Sequence, residues 1–325
     1  MLIPSRALGL ARVLLLAVSA TAASLAHASE MPAQIKLVVP FAPGASNDLF
    51  ARALAARLGP RLGASIAVEN RPGAGGMIGA DQVMRSAADG ATLLFSSSAI
   101  TSNAAVQAKL PYDPLADVAP VALVATSGLM MVVPVSSPHQ RFEDLLNAIR
   151  TSKGQMTYAS SGVGSINHVS TELMHSMAGT SGIHVPYKGI SQVMVDMVAG
   201  RVDYLLTTVA SSRAQVDGGK LRPLAVSSVG RSPFNPDLPP ITDWVPGFSA
   251  EVWWGVFAPA RAPVAIVTRL NAEIRATVAD PEMKALFAKE GAIAGALDVP
   301  TFVRKYRGEI EVWRKVVRDR KIERN

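Results

Sequence analysis

The chain contains no cysteine. This absence excludes a disulfide framework, a cysteine nucleophile and lipid attachment through a cysteine side chain. An exported protein without disulfides needs a hydrophobic core large enough to hold itself together. A chain of 325 residues with 49% hydrophobic residues can bury such a core, and this length predicts two lobes.

The signatures of common enzyme classes are also missing. The sequence has neither the Gly-x-Ser-x-Gly nucleophile motif nor a phosphate-binding Gly-Lys-Ser/Thr. His168 and His175 share a face of one predicted helix, but no carboxylate completes a zinc set. We therefore predict no catalytic residue, no metal and no cofactor, with His168 in a first-turn polar contact and His175 at the surface. A hydrolase that uses Ser165 and His168 is the enzymatic alternative.

The N-terminal segment lacks an apolar run long enough to cross a membrane. Arg6 and Arg12 give it a positive start, residues 13–18 are apolar, and residues 26–28 fit the small-residue cleavage pattern. A spanning helix needs about 20 apolar residues. We therefore predict a signal peptide over residues 1–28, rather than a membrane anchor, and export of the rest of the chain.

Positive charge is in excess and collects near the C terminus. The net charge is +7, and Lys and Arg dominate residues 304–324. Nucleic-acid-binding patches combine basic and aromatic residues, but here only Tyr306 and Trp313 accompany the basic run. Their spacing with Val303, Ile310 and Val317 predicts one face of a helix. The pattern indicates a terminal helix with a solvated basic face and no nucleic-acid partner.

Residues 35–48 predict a strand, a tight turn and a capped helix. Residues 35–39 are apolar and largely β-branched, and residues 40–44 add two prolines and a glycine. Apolar residues at helical spacing follow, at Leu49, Ala53, Leu54 and Leu58. Such a turn presents backbone N–H groups at the positive end of a helix and binds anions without a basic side chain. Asp48, in the first helical turn, is predicted to satisfy the donors of its own cap.

The same strand–turn–helix unit recurs along the chain, which is typical of an α/β protein with parallel strands. Further strands are predicted at 65–70, 92–95, 156–159, 183–187, 202–206, 221–226 and 251–258, with apolar runs at 121–124 and 129–133. A further helix is predicted after the turn at 73–76 and includes residues 83 and 84, and others are predicted at 142–149, 166–177, 192–198, 263–278 and 301–320. Trp253 and Trp254 are adjacent on a strand, so we expect one in the core and the other at the lobe interface.

Three turns, at residues 43–47, 73–76 and 160–165, share one design. Each is rich in Gly or Ser, follows a strand and opens a helix. Glycine lets the backbone approach a ligand, and Ser and Asn add hydrogen-bond donors. Ligands of such sheets bind beyond the carboxyl ends of the strands. Because two of these turns fall in one lobe and the third in the other, we predict an anion site between the lobes.

Segments over the whole mature chain carry a family likeness. They are residues 38–44 with Asp48, 68–76 with 78–80, 89–93, 110–114, 158–162, 184–189, 219–226, 254–259 and 270–271. In these segments the chain resembles the Bug-type substrate-binding proteins of tripartite tricarboxylate transporters. The resemblance implies an α/β, two-lobe periplasmic binding protein of type II, a Venus flytrap with a ligand cleft between the lobes. Lobe 1 would comprise residues 29–126 and 250–325, and lobe 2 residues 127–249.

The resemblance also implies which residues hold the ligand. The first grip would be Phe41, Gly44, Ala45, Ser46 and Asn47, and the second Gly75, Gly76 and Met77. Ser97 and Ser98 would line the floor of the cleft. Lobe 2 would contribute Ser160, Gly164, Ser165, His168 and Thr207 or Thr208.

The chain departs from the family pattern inside this site. Ala45 stands where the family usually has a second glycine, and Asn47 adds a side-chain amide to the same turn. Many members carry an acidic residue, which holds an amine, where this chain has Thr207 and Thr208. The two threonines therefore disfavour an amino-acid ligand.

By resemblance, the protein would capture a small organic carboxylate in the periplasm. It would act as a monomer and present the ligand to the membrane subunits of a tripartite tricarboxylate-type transporter. A ligand sensor that docks on a membrane receptor is an alternative that the sequence does not separate from this role. An exported Ser/His hydrolase is the less favoured alternative.

Overall fold

The computed structural model describes residues 31–44 and 46–323. The predicted signal peptide and Ala45 lie outside the described residues. Within the described ranges, no helix is both long and apolar enough to span a bilayer.

The strands and helices alternate through most of the chain, as the sequence predicts. The strands are β1 Gln34–Val39, β2 Ser65–Asn70, β3 Thr92–Ser97, β4 Val118–Pro134, β5 Thr157–Ser160, β6 Ile183–Pro186, β7 Leu205–Thr208, β8 Leu221–Val226, β9 Glu251–Pro259 and β10 Ile293–Ala294. The helices are α1 Ser46–Leu62, α2 Met77–Met84, α3 Ala99–Val106, α4 Phe142–Thr151, α5 Ile166–Ala178, α6 Ile190–Val198, α7 Val209–Asp217, α8 Val264–Val278, α9 Pro281–Lys289 and α10 Val299–Asp319. The sequence did not predict α3, α7, α9 and β10.

The main sheet extends through both lobes because β4 is continuous. The strand order is β10-β4-β9-β3-β1-β2, and β7 and β8 also pair with β4. β1 pairs in parallel with β2 and β3, whereas β9 is antiparallel to both β3 and β4. The first part of β4, to Gly128, pairs with β9, and the part from Leu129 pairs with β7 and β8. The two apolar runs at 121–124 and 129–133 are therefore one strand that passes between the lobes.

Each lobe has its own core. Lobe 1 consists of β1–β3, the first part of β4, β9, β10, α1–α3 and α8–α10, and it packs apolar residues on both faces of its sheet. Lobe 2 consists of the end of β4 with β5–β8 and α4–α7, and it forms separate apolar clusters. The boundaries that the sequence suggests for the lobes, at 126/127 and 249/250, stay a prediction.

Two details of the lobe 1 core differ from the prediction. Trp253 and Trp254 do point to opposite faces of β9, but both are buried in lobe 1, one in each face's cluster. The expectation that one lies at the lobe interface was therefore wrong. In α1, Leu54 and Leu58 are buried as predicted, but Leu49 is 39% exposed and Phe50 is fully buried instead.

Candidate ligand-binding cleft

A cavity of about 340 Å³ lies between the two lobes. Lobe 1 contributes the start of the turn after β1, the turn before α2, the end of β3 and the first turns of α3. Lobe 2 contributes the loop after β5 and the start of α5. The lining residues are Phe41, Gly75, Ser97, Ser98, Ala99, Ser102, Asn103, Ser161, Val163, Gly164, Ser165, Ile166 and Val252.

Six of the predicted site residues line this cavity, and the others lie behind it or beside it. The six are Phe41, Gly75, Ser97, Ser98, Gly164 and Ser165. Gly44, Ser46, Asn47, Gly76, Met77, Ser160, His168, Thr207 and Thr208 are not among the described lining residues. The Ser46 hydroxyl donates to Glu290 Oε2 (3.1 Å), and the Thr208 hydroxyl accepts from Ser211 N at the start of α7. These two hydroxyl groups are therefore engaged away from the cavity.

Sequence reasoning missed seven lining residues, of which Ala99, Ser102 and Asn103 lie on α3. This helix is rich in small and polar residues, so its apolar periodicity is weak. The cue in the sequence is the run Ser96-Ser97-Ser98 after a predicted strand, which marks the start of a helix. Asn103 Nδ2 donates to the carbonyl of Gly75 (2.9 Å), so α3 also fixes the glycine turn before α2.

Asp48 ties together the two lobe 1 turns that border the cleft. Its carboxylate accepts from Gly44 N (3.1 Å), Arg52 Nε (3.0 Å) and Asn70 Nδ2 (2.9 Å). Asn70 Nδ2 also contacts the carbonyl of Phe41 (3.1 Å). The hydrogen bond from Arg52 is the largest influence on this carboxyl and, with those from Asn70 and Gly44, lowers its pKa to about 2. The predicted structural role of Asp48 is confirmed by these contacts.

We expect Asp48→Asn to lower the free energy of unfolding by about 2 kcal/mol at pH 7, because the pKa falls by nearly two units on folding. A carboxyl with a depressed folded pKa stabilises the protein above its unfolded pKa. The difference between the variant and the wild type should therefore shrink as the pH falls from 4 toward 2. Chemical denaturation at pH 7 and pH 3 measures both values.

The matched control for this substitution is Asp81→Asn. Asp81 also forms an i,i+4 pair with an arginine, Arg85, but without the backbone and Asn70 contacts. Exposed pairs of this type contribute less than about 1 kcal/mol. Equal destabilisation by the two substitutions would contradict the role assigned to Asp48.

Two helices from opposite lobes begin at this cavity. Ser98 precedes α3 and Ser165 precedes α5, and neither side chain caps its own helix. Among the described residues, the Ser98 hydroxyl is buried and has no hydrogen-bond partner. The first turns of both helices carry no acidic side chain of their own, although Glu309 of α10 accepts a hydrogen bond from Thr101 in the first turn of α3. The positive ends of both helix dipoles favour an anion. No charged side chain is among the described lining residues. The cavity therefore suits an anion held by backbone N–H groups and hydroxyls.

The lobe 2 loop at residues 160–165 is held by two stacked histidines. The His168 and His184 rings lie 3.8 Å apart and are nearly parallel. His184 Nε2 contacts the Ser160 hydroxyl (2.6 Å), and His168 Nδ1 accepts from Gly164 N (3.0 Å). Burial lowers the pKa of His168 to about 4, which keeps the ring neutral and its Nδ1 available as an acceptor at neutral pH. His168 thus supports the loop from behind.

The hydrolase alternative requires a Ser165–His168 pair, which the structure does not form. The Ser165 hydroxyl donates to the carbonyl of Gly162 (2.7 Å), and the described hydrogen bond of His168 is to Gly164. His175 is buried between Thr180 and Tyr204, so the prediction of a surface histidine was wrong. The described residues hold no cluster of three or more potential metal ligands.

Comparisons with known proteins agree with this geometry. The sequence model of the "Tripartite tricarboxylate transporter family receptor" matches residues 50–321. Protein BugT of Bordetella pertussis is 33% identical over 289 residues, which is 88% of each chain. The solved structure of R. palustris Rpa4515 with adipate is 34% identical, with a TM-score of 0.77, and the match covers 89% of this chain and 98% of that chain. MatC from Rhodopseudomonas palustris with bound malate is 27% identical, with a TM-score of 0.73 and coverage of 87% and 98%.

The similarities confirm the predicted two-lobe α/β fold and the predicted family. The matched family consists of solute receptors of transporters, and a further similar structure is described as a periplasmic transporter. The protein belongs to the tripartite tricarboxylate transporter receptor family.

Proposed function

We propose that this protein binds a small dicarboxylate between its lobes in the periplasm. After removal of the signal peptide, residues 1–28, it would act as a monomer without enzymatic activity. It would present the ligand to the membrane subunits of a tripartite tricarboxylate-type transporter. Two similar proteins, solved with adipate and with malate, support a dicarboxylate as the ligand class.

The observation that carries the proposal is the pair of helix starts that face one cavity from opposite lobes. One carboxylate of the ligand binds at Ser98 and the start of α3, and the other binds at the backbone N–H groups in the first turn of α5, beside Gly164 and Ser165. Phe41, Val163 and Val252 supply apolar surface among the lining residues. An ammonium group has no carboxylate partner among the described lining residues, which disfavours amino acids.

Binding would close the two lobes around β4 and β9. In this proposal residues 29–126 and 250–325 move as one body and residues 127–249 as the other. A ligand that touches both lobes stabilises the closed arrangement by its differential affinity for that state. The predicted site residues that do not line the cavity would then act by holding the turns around it in place, in the way that Asp48 holds Gly44.

A thermal-shift screen of malate, adipate, succinate, aromatic acids and amino acids tests the ligand class. At a ligand concentration of 100 Kd, binding adds about 2.7 kcal/mol to the stability. We expect at least one aliphatic dicarboxylate to raise the melting temperature clearly, and amino acids to leave it unchanged. A melting curve that no dicarboxylate moves would contradict the proposal.

The substitution Ser98→Ala tests the site. We expect about a tenfold loss of affinity for the best dicarboxylate, since one hydrogen bond to a charged group is removed. The stability without ligand should not fall, because the hydroxyl has no described partner to lose.

Ser170→Ala is the matched control for this substitution. The Ser170 hydroxyl is also buried and also lacks a partner among the described residues, but Ser170 does not line the cavity. It should therefore leave the affinity unchanged. Calorimetric titration of both variants with the dicarboxylate measures the two affinities. Equal affinities would show that Ser98 does not bind the ligand.

A further inference from the structure

An ion pair joins the two lobes beside the cleft. Arg320, directly after α10 of lobe 1, donates through Nε to Glu172 Oε2 on α5 of lobe 2 (2.5 Å). The Glu172 side chain is 9% exposed and that of Arg320 is 23% exposed, so water screens this pair weakly. An apolar cluster from both lobes lies next to the pair and is formed by Ala105, Val106, Val169, Trp313, Val316 and Val317.

The other oxygen of Glu172 begins a chain of contacts inside lobe 2. It accepts from the Tyr158 hydroxyl (2.5 Å), and the Tyr158 ring stacks on His184 at a centroid distance of 5.0 Å. His184 in turn stacks on His168. The two histidines hold Ser160 and Gly164 of the lobe 2 loop at residues 160–165, which we call the cleft loop. A continuous set of contacts therefore connects Arg320 with Gly164.

The pair also links α5 to lobe 1. Glu172 lies about two turns after Ser165 on this helix, and the start of the helix faces the cavity. The ion pair and the neighbouring apolar cluster attach α5 to the C-terminal end of α10. The cleft loop and the helix start move with α5 because both are attached to it.

We propose that Glu172 and Arg320 are positioning residues for the ligand, which they do not touch. They hold the cleft loop and the start of α5 at the distance from α3 that a bound dicarboxylate requires. This inference rests on the proposed function, since it assumes that the ligand occupies the cavity between the lobes.

The test uses Arg320→Met, Arg320→Lys and Glu172→Gln in the full mature protein, with adipate as the calorimetric probe. Arg320→Met and Glu172→Gln should weaken adipate binding by tenfold or more at a temperature where each variant is folded. Arg320→Lys should restore most of the affinity because it keeps the positive charge. Arg314→Met is the control, since Arg314 pairs with Glu311 on the exposed side of the same helix. It should bind adipate within twofold of the wild type.

A second readout needs no ligand. The amide resonance of Gly164 should shift in Arg320→Met and Glu172→Gln and stay in place in Arg314→Met, because only the first two break the contacts that lead to this amide. Glu172→Gln is nearly isosteric with the native side chain and keeps the test possible if Arg320→Met does not fold. Unchanged affinity together with an unchanged Gly164 resonance in folded Arg320→Met and Glu172→Gln would overturn the inference. If the wild type did not bind a dicarboxylate, the proposed function would fail, and the resonance would still decide whether the pair positions the loop.

Discussion

Gly164→Ala is expected to weaken dicarboxylate binding by about 100-fold or more, which corresponds to about 2.7 kcal/mol. Gly164 has a φ of +77°, and an added Cβ would lie 2.4 Å from Val106 Cγ2 and 3.0 Å from Val106 Cβ. Val106 is buried on α3 of lobe 1 and is stiff because it is β-branched. The new methyl group therefore pushes Gly164, beside the start of α5, away from the C-terminal end of α3 and separates the two lobes next to the cavity.

Two further variants separate this steric effect from backbone strain. Gly179 follows the C-terminal end of α5 and has a φ of +64°. An added Cβ there would meet no described heavy atom within 4 Å. Gly179→Ala thus carries similar strain without the clash and should bind with nearly wild-type affinity. Val106→Ala should restore part of the affinity of Gly164→Ala, since it removes both obstructing methyl groups and leaves only the Cβ contact at 3.0 Å. Equal affinity losses for Gly164→Ala and Gly179→Ala in calorimetric titrations would contradict the steric explanation.

Glu309→Gln is expected to stabilise the protein by about 3 kcal/mol above pH 7 and to have little effect near pH 4. Glu309 lies on α10, where its Oε2 accepts from Trp253 Nε1 (2.6 Å) and from the Thr101 hydroxyl (3.2 Å). Burial raises the pKa of this carboxyl from 4.5 to about 7, although Lys305 nearby acts in the opposite direction. Glutamine keeps an acceptor for Trp253 and does not ionise.

The sign follows from the raised pKa. The folded protein favours the neutral form of the Glu309 carboxyl. The free energy of unfolding is therefore not reduced by this group below pH 4.5, and it falls as the pH rises from 4.5 to 7. Chemical denaturation at pH 5 and pH 8 should therefore show a much larger gain for Glu309→Gln at pH 8. Glu311→Gln, on the exposed side of the same helix, should change the stability by less than about 1 kcal/mol at both values. A gain from Glu309→Gln that does not depend on pH would contradict the assignment.

The sequence predicts the fold well where one local pattern decides it. The apolar run at 35–39 forms β1, and the glycine turn at 73–76 leads into α2 as expected. Local patterns fail to predict the structure where contacts between distant segments determine it. Ser127 and Gly128 look like a break between two strands, but β9 pairs with β4 through both of them and keeps it continuous.

In the candidate site, too, the residues set by local patterns are predictable and those set by distant contacts are not. The glycine and serine turns predict Gly75 and Gly164, because such turns are needed wherever the backbone approaches a ligand, and the family resemblance adds Ser98. The burial of His175 depends on Tyr204, which lies 29 positions away in the sequence and cannot be paired with it by local spacing. The interlobe contact of Glu172 with Arg320 spans 148 positions and is equally invisible in the sequence.

The central claim is that each lobe binds one carboxylate of the ligand at the start of a helix. Two calorimetric titrations of the wild-type protein test this claim directly. One uses the dicarboxylate that binds most tightly among malate, succinate and adipate, and the other uses the monomethyl ester of that acid. We predict that the dicarboxylate binds and that the monoester binds at least about tenfold more weakly, because one helix start loses its anion. Equal affinities for the acid and its monoester would contradict the claim.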